Sequence, residues 1–495
     1  MPRSVKPLIA IREPCDGTGF VGRERCILAA SDAQGNAEQS PVIVIGGGIA
    51  GLAAAWKLAR AGKKIRLIEK DRRLGGVIRS LRKDGFLIEE GPNTVQNHSD
   101  ELGEMRRALG LEDRLLFATG TEKKYLVRFG RVHPVPTGVL SSVTSPLLSL
   151  RGKVRLAVEP WVKPFPLAGV SAEEFIRRRI GREGYERLFE PVVAGIYAGD
   201  PREMEMRYAF PKLTALVENS GSLIRGAVER MRRARRDRAL QKRQKRQAMI
   251  FSFPEGLEEL PRAVEKFLGD RLLLGTRARK IEPIDHGFRL TLEKGDGMKE
   301  QVFGSDVVLA VPAHALSGIE MPPEVRKACE VLAGAPYAPV GIAALGYKDQ
   351  GPLRRLEGFG VLVPAVERRS ILGVLFSSSL FPERAPRGMR LLTIFYGGRR
   401  NPEMVLDEKE FPREAILRDL QEIFGIEEEP LFEHWIRYPK AIAQYLLGHG
   451  RILKAQERLE ARCPGLLLAG SYLTGASVPA TADSGFRAAE KILSR

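Results

Sequence analysis

The chain has 495 residues, 79 basic and 61 acidic side chains, and a formal net charge of +18 at pH 7. A hydrophobic share of 43% suffices for a sizeable core and excludes wholesale disorder. The four cysteines (Cys15, Cys26, Cys329, Cys463) exclude a disulfide framework and, lacking a short CxxC pair, a cysteine-based metal site. The chain thus reads as a protein of a reducing compartment whose charge favours anionic partners.

Residues 1–40 carry five basic and five acidic residues and no clear period. They are too poor in apolar residues for a secretory signal and too acidic for a transit peptide, so a disordered extension is expected. Order begins at Pro41. Val42–Ile45 reads as a buried strand, Gly51–Ala61 as a helix and Lys64–Glu69 as a second strand. Together they form a βαβ unit, which implies a parallel sheet.

Val132–Leu150 is uncharged but broken by Pro134, Pro136 and Pro146, and Cys463–Ala482 is broken by glycine and proline. Neither provides the roughly 20 apolar residues of a spanning helix, so any membrane contact is expected from one side. Arg225–Arg246 holds 11 basic residues against Glu229 and Asp237, a local excess of +9. It reads first as a solvated helix or mobile loop, then as a contact for an anionic membrane. Nucleic acid is not expected, since no aromatic residue in the run can stack on bases. Further on, β-like stretches fall near Leu272–Ile284, Phe288–Glu293 and Asp306–Val311. Phe359–Pro364, Ile371–Ser377 and Leu391–Tyr396 suggest a second, antiparallel-containing sheet. Leu466–Ala469 is a strand, followed by a loop and the helix Phe486–Leu493.

The strongest local signal is Gly46-Gly47-Gly48-Ile49-Ala50-Gly51, a G-x-G-x-x-G between strand and helix. Its first glycine permits the tight turn, its second the approach of a pyrophosphate, and its third close packing of the helix. Glu69 lies 18 residues after Gly51, where a carboxylate accepts both hydroxyls of an unphosphorylated ribose. After it comes Arg73-Leu74-Gly75-Gly76, and an acidic strand end followed by R-x-G-G resembles the amine-oxidase-type flavoproteins.

Four further strings narrow the resemblance: Glu90–Thr94 (EGPNT), Glu190–Pro201 (EPVVAGIYAGDP), Phe376–Pro386 (FSSSLFPERAP) and Gly470–Pro479 (GSYLTGASVP). Their sequence and order resemble the FAD-dependent, oxygen-using protoporphyrinogen oxidases of haem and chlorophyll synthesis, from Pro41 to the C-terminus. The resemblance implies an α/β fold. A Rossmann-like FAD-binding domain would be assembled from 41–95, 251–330 and 451–495. An antiparallel-sheet substrate domain would span 331–450, a helical, membrane-associated insert 96–217 and the basic segment 218–250.

It also implies non-covalent FAD held by Gly46, Gly47, Gly48, Ile49, Ala50, Gly51, Glu69, Gly75, Gly76, Gly91, Pro92, Asn93 and Thr94. Ala278 would make a main-chain contact to adenine, with Ser471, Ala476, Ser477 and Val478 near the flavin ring. The substrate would meet the Gly195 carbonyl and be sandwiched by Leu362, Leu375 and Phe395, three residues that also suit ordinary core packing. Glu101 is nearest by spacing to the family's propionate-binding arginine, with Arg106 and Arg107 close by. Leu147, Leu148, Trp161, Val162 and Phe165 are candidates for a bilayer face or for core.

The implied reaction removes six electrons and six hydrogens from protoporphyrinogen IX, with three O₂ becoming three H₂O₂. No catalytic acid or base is assigned and no metal is expected, since the six histidines are scattered. The expected partners are a tetrapyrrole, O₂ and the cytoplasmic membrane, approached from the cytoplasm, with a homodimer left open. Coproporphyrinogen III oxidation stays open as an alternative, as does another amine-oxidase-type chemistry or an adaptor without turnover.

Overall fold

Val42–Ile45 is four buried apolar residues in a row, a strand that needs cover on both faces. In the computed structural model, which describes residues 40–237, 242, 246, 248–407 and 409–495, it receives that cover. The expected extension 1–40 lies outside the described residues except for Ser40, as do residues 238–241 and 243–245 of the basic run. Val42–Ile45 is the centre of a five-stranded parallel sheet. The order is Leu272–Leu273, Ile65–Ile68, Val42–Ile45, Val307–Leu309, Leu466–Leu468.

Alternate residues of one strand serve opposite cores. Val42 and Val44 pack with Leu52, Trp56 and Phe486 from the helices Ile49–Arg60 and Val478–Leu493. Ile43 and Ile45 pack on the other side with Leu290, Leu332 and Leu459. That second layer combines an antiparallel meander (Thr276–Ile284, Gly287–Lys294, Lys299–Gly304) with the helices Pro323–Ala333 and Gly450–Arg462. The two helices on the first face approach to backbone contact at Gly485, where a Cβ would lie 1.9 Å from the Ala50 carbonyl oxygen.

A second sheet has seven strands in the order Phe432–Ala443, Tyr337–Lys348, Met389–Gly397, Ile371–Leu375, Gly360–Leu362, Lys124–Arg128, Arg131–Pro134. All its pairings are antiparallel except that of Gly360–Leu362 with Lys124–Arg128. The expected α/β architecture, with a Rossmann-like parallel sheet and a second sheet of antiparallel character, is borne out. Residues 96–217, expected as a helical insert, hold the helices Ala172–Gly184, Glu190–Tyr197 and most of Pro211–Ser220, but they also contribute two strands to this sheet. The hairpin between those strands turns through Phe129 (φ 52°) and Gly130 (φ 69°), the paired left-handed conformation that suits a two-residue turn.

Candidate functional site

The carboxyl ends of the parallel strands converge on one edge, the usual ligand edge of such sheets. Gly46 follows Ile45, Glu69 follows Ile68, Ala310 follows Leu309, and Gly470 lies two residues after Leu468. Gly46 adopts φ +108°, and a Cβ there would sit 2.6 Å from the Ala310 carbonyl oxygen, so glycine is required. At Gly51 a Cβ would lie 1.9 Å from the Gly46 carbonyl oxygen, which fixes the helix tightly on its strand. Gly48 differs: nothing lies within 4 Å of its Cβ position, at the N-terminus of helix Ile49–Arg60. That open, electropositive spot suits a pyrophosphate.

Buried Glu69 accepts from the Gly47 amide at 2.6 Å and the Asp71 amide at 2.9 Å. An ionised carboxylate has about four acceptor positions, so capacity for ribose hydroxyls remains. The second glycine pair lies directly on the first: the Gly75 amide donates to the Gly47 carbonyl at 2.8 Å, and Gly48 and Gly75 form a parallel bridge. Gly91 in turn packs on the carbonyl of Val77, which a Cβ would meet at 2.0 Å. This places Pro92, Asn93 and Thr94 beside that pair. The Thr276 amide donates to the Glu69 carbonyl at 2.9 Å, bringing buried Ala278 within two residues of the acid.

Ser471 opens a short helix whose first carbonyl accepts from the Tyr445 hydroxyl at 2.5 Å. Ser477 caps helix Val478–Leu493 through the Ala480 amide. Both segments belong to the same edge, because that helix rests on Ile49–Arg60. Burial pushes the Tyr445 hydroxyl well above its ordinary pKa, so it stays protonated as a donor.

The seven-stranded sheet supplies the facing wall. Leu362 pairs with Gly373 and Leu126, Gly373 with Phe395, and Phe395 with Ile342, so these residues form one row on one face. Two residues along, the next row runs Lys124, Gly360, Leu375, Thr393 and Ala344. Helix Glu190–Tyr197 lies against this face: a Cβ on Gly195 would come 2.3 Å from Leu362 Cδ2. The structure therefore brings Gly195, Leu362, Leu375 and Phe395 together, with the Leu362 side chain folded over Gly373, where a Cβ would lie 3.2 Å from Leu362 Cδ2.

Glu101 and Arg106 are both engaged elsewhere. Glu101 pairs with Lys57 of helix Ile49–Arg60, a lysine that also pairs with Glu490. Arg106 is buried under Phe251, bonded to Glu112 and Asn97, and is likewise spent. Leu147 and Leu148, candidates for a bilayer face or for core, are buried and belong to the core. The cation the row does place at the wall is Lys124, over the Phe359 ring at 5.7 Å and with no carboxylate partner among the described residues. His434, read as scattered, joins the cradle to the wall by a 2.9 Å contact between its Nε2 and Glu90 Oε1. Among the described residues no group of three or more metal-ligating side chains occurs.

The family model described as flavin containing amine oxidoreductase matches residues 49–493. Protoporphyrinogen oxidase 1 from the Arabidopsis thaliana chloroplast is 32% identical over 95% of this chain and 93% of its own length. Coproporphyrinogen III oxidase from Bacillus subtilis is 29% identical over 90% of this chain and 96% of its own. Among solved structures, a protein from Exiguobacterium sp. 255-15 assigned by name to the protoporphyrinogen oxidases superposes with a TM-score of 0.75. It is 26% identical and covers 92% of this chain and 99% of its own. The resemblance read from the motifs is borne out.

Proposed function

The chain belongs to the flavin-containing amine oxidoreductases, in the group that includes the protoporphyrinogen and coproporphyrinogen III oxidases, and from that membership we propose that it oxidises protoporphyrinogen IX to protoporphyrin IX. Six electrons and six hydrogens leave in three two-electron steps, and three O₂ become three H₂O₂. FAD, when bound, supplies the two-electron acceptor. The chain's own residues fit that group: Gly48 stands open at a helix N-terminus, and Glu69 keeps acceptor positions for a ribose. No cysteine lies in Gly470–Pro479, so binding is non-covalent.

The observation that carries the substrate reading is the wall opposite the cradle. Leu362, Leu375 and Phe395 offer a flat apolar face to a tetrapyrrole, and the Gly195 backbone reaches the same face. Such a face grips and excludes water but takes no proton and makes no ion pair. The methylene bridge needs little more, because its flanking pyrroles stabilise the cation left when a hydride departs.

Coproporphyrinogen III is the second reading, with two more propionates than protoporphyrinogen IX. A buried carboxylate without a cation costs several kcal/mol, so four of them need several free cations. Around the wall Arg128, Arg187 and Arg400 are already paired with Glu183, Glu367 and Glu190, whereas Lys124 has no carboxylate partner among the described residues. A wall with so few unpaired cations among the described residues suits the less acidic substrate and its vinyl groups. The expected kcat/KM therefore favours protoporphyrinogen IX under identical detergent conditions. A tenfold preference for the copro form, about 1.4 kcal/mol in transition-state binding, would reverse the assignment.

We also propose that the protein meets a membrane surface from the cytoplasmic side, although no helix among the described residues is long and apolar enough to cross one. Helix Leu150–Ala157 is inside out. Gly152 and Arg155 face the helix Ala172–Gly184, with Arg155 donating to the Arg179 carbonyl at 2.9 Å. Leu150, Val154, Val158 and Trp161 point outward, with Leu150 and Trp161 about three-quarters exposed (77% and 75%). Arg151 and Lys163 flank that stripe and suit anionic headgroups. Trp161→Ala with Val154→Ser is expected to reduce cosedimentation with anionic vesicles severalfold while thermal stability holds. Unchanged cosedimentation would rule this surface out.

A further inference from the structure

Beside Leu375, between the seven-stranded sheet and the strand Phe86–Glu89, lies a partly enclosed cavity of about 10 Å³. Its lining is polar for so small a space: Glu89, Arg384, Ser377, Thr393 and Asn93 all border it. Glu89 and Arg384 form an ion pair at 2.8 Å, their side chains 2% and 4% exposed. Glu89 also accepts from the Ser80 hydroxyl at 2.6 Å and the Leu257 amide at 2.9 Å. Arg384 directs Nη2 to Glu89 and to the Ser252 hydroxyl, yet its Nη1 finds no acceptor among the described residues. The Ser377 and Thr393 hydroxyls share a single hydrogen bond at 2.7 Å.

A space of about 10–15 Å³ holds one water, provided two to four polar groups receive it. This lining meets that condition, and a water oxygen is the acceptor that Arg384 Nη1 lacks. We propose that the cavity is a single-water site, and that its water receives the proton given up by a ring nitrogen of the substrate. The inference rests on the porphyrinogen reading above.

Its place supports the role. Leu375 and Thr393 belong to the substrate-facing row, and Asn93 to the turn packed beside the second glycine pair. The rest of the wall, Leu362 and Phe395, cannot take a proton. With FAD bound to accept the bridge hydrogen and its electron pair, an adjoining pyrrole N–H would break and its electrons would complete the new double bond. The proton passes to the water, and it returns when O₂ is reduced to H₂O₂. Glu89 borders the same cavity and can take a proton on from the water. Burial pushes its carboxyl up against the opposing pull of Arg384, which disposes it to hold a proton that a surface carboxylate would shed. Glu89 and Arg384 are the charged groups of the lining.

Crystals of the holoenzyme are expected to show an ordered water within hydrogen-bond distance of Arg384 Nη1. Anaerobic mixing with protoporphyrinogen IX in H₂O and D₂O tests the role. Thr393→Val keeps the side-chain shape and removes one hydroxyl; Ser377→Ala removes the other. Each is expected to slow flavin bleaching about tenfold or more and to change the solvent isotope effect, with thermal stability and FAD affinity retained. A dry cavity overturns the site. A water that is present while both variants keep wild-type rates and isotope effects overturns the role. A flavin that no porphyrinogen reduces overturns the substrate reading and the proton role with it, whereas the crystal alone still decides the water site.

Discussion

Gly51→Val is expected to yield a protein that retains no flavin after purification. A Cβ at this position lies 1.9 Å from the Gly46 carbonyl oxygen and 3.1 Å from its carbon. The obstacle is backbone at the head of the fingerprint, which cannot rotate aside as a side chain would. The cost therefore exceeds the ~1–3 kcal/mol of ordinary overpacking. Relief requires helix Ile49–Arg60 to move off its strand, carrying Gly48 and the amides at its N-terminus away from the pyrophosphate position. Gly48→Ala is the informative control, because no atom lies within 4 Å of its Cβ position. It should fold like wild type and lose flavin affinity alone. Visible flavin absorbance after gel filtration reads both variants, and a yellow Gly51→Val protein of wild-type affinity would contradict the packing argument.

Arg179→Ala is expected to destabilise the fold by about 3–5 kcal/mol. Arg179 and Glu159 are both fully buried, with Nη1 and Oε1 3.3 Å apart. Arg179 also donates to the Gly221 carbonyl at 2.7 Å. Glu159 in turn accepts from the Ser222 hydroxyl and from the amides of Leu223 and Ile224, so it closes the N-terminus of helix Leu223–Arg236. Removing the guanidinium strands a carboxylate in the interior and loosens the basic helix first. Denaturant midpoints measure the loss, and limited proteolysis should cut near residue 223 before it cuts elsewhere. A midpoint equal to wild type would show that the pair is dispensable. Replacing both partners with apolar residues of similar size should recover part of the loss, since the stranded charge is then gone.

The parts of the site that the sequence reveals are those with a local backbone requirement. Gly46, Gly48 and Gly51 are demanded by a turn, an open face and a close helix, and all three requirements fall within six residues. Glu69 is found because its distance from them is set by one helix and one strand. Gly75, Gly76 and Gly91 are legible for the same reason: each marks a close approach of backbone to backbone.

Residues that depend on distant pairings leave no such mark. Lys124 reaches the wall only because its strand pairs in parallel with Gly360–Leu362, more than 200 residues away. Spacing along helix Asp100–Ala108 marks only Glu101, whose partner is Lys57, and cannot point to a cation on a distant strand. The hairpin at Phe129-Gly130 lacks the Asn-Gly or Asp-Gly that usually announces its turn, so the strands beside it were hidden within a nominally helical stretch. Leu147 and Leu148 illustrate a third limit. Apolar residues before a helix look alike in sequence whether they point in or out. Here the helix buries Gly152 and turns Arg155 inward, while Leu150, Val154 and Val158 face outward. The cap of the last helix is legible in the sequence, since Ser477 followed by Val478-Pro479 is a start signal more than two turns upstream of the expected helix Phe486–Leu493.

The most direct measurement is anaerobic mixing of the holoenzyme with protoporphyrinogen IX, followed by admission of air. The flavin absorbance is expected to bleach before air enters. Afterwards porphyrin fluorescence should rise, with three H₂O₂ formed per porphyrin. A flavin that stays oxidised with both protoporphyrinogen IX and coproporphyrinogen III, while the protein remains folded and FAD-loaded, would contradict the proposed function.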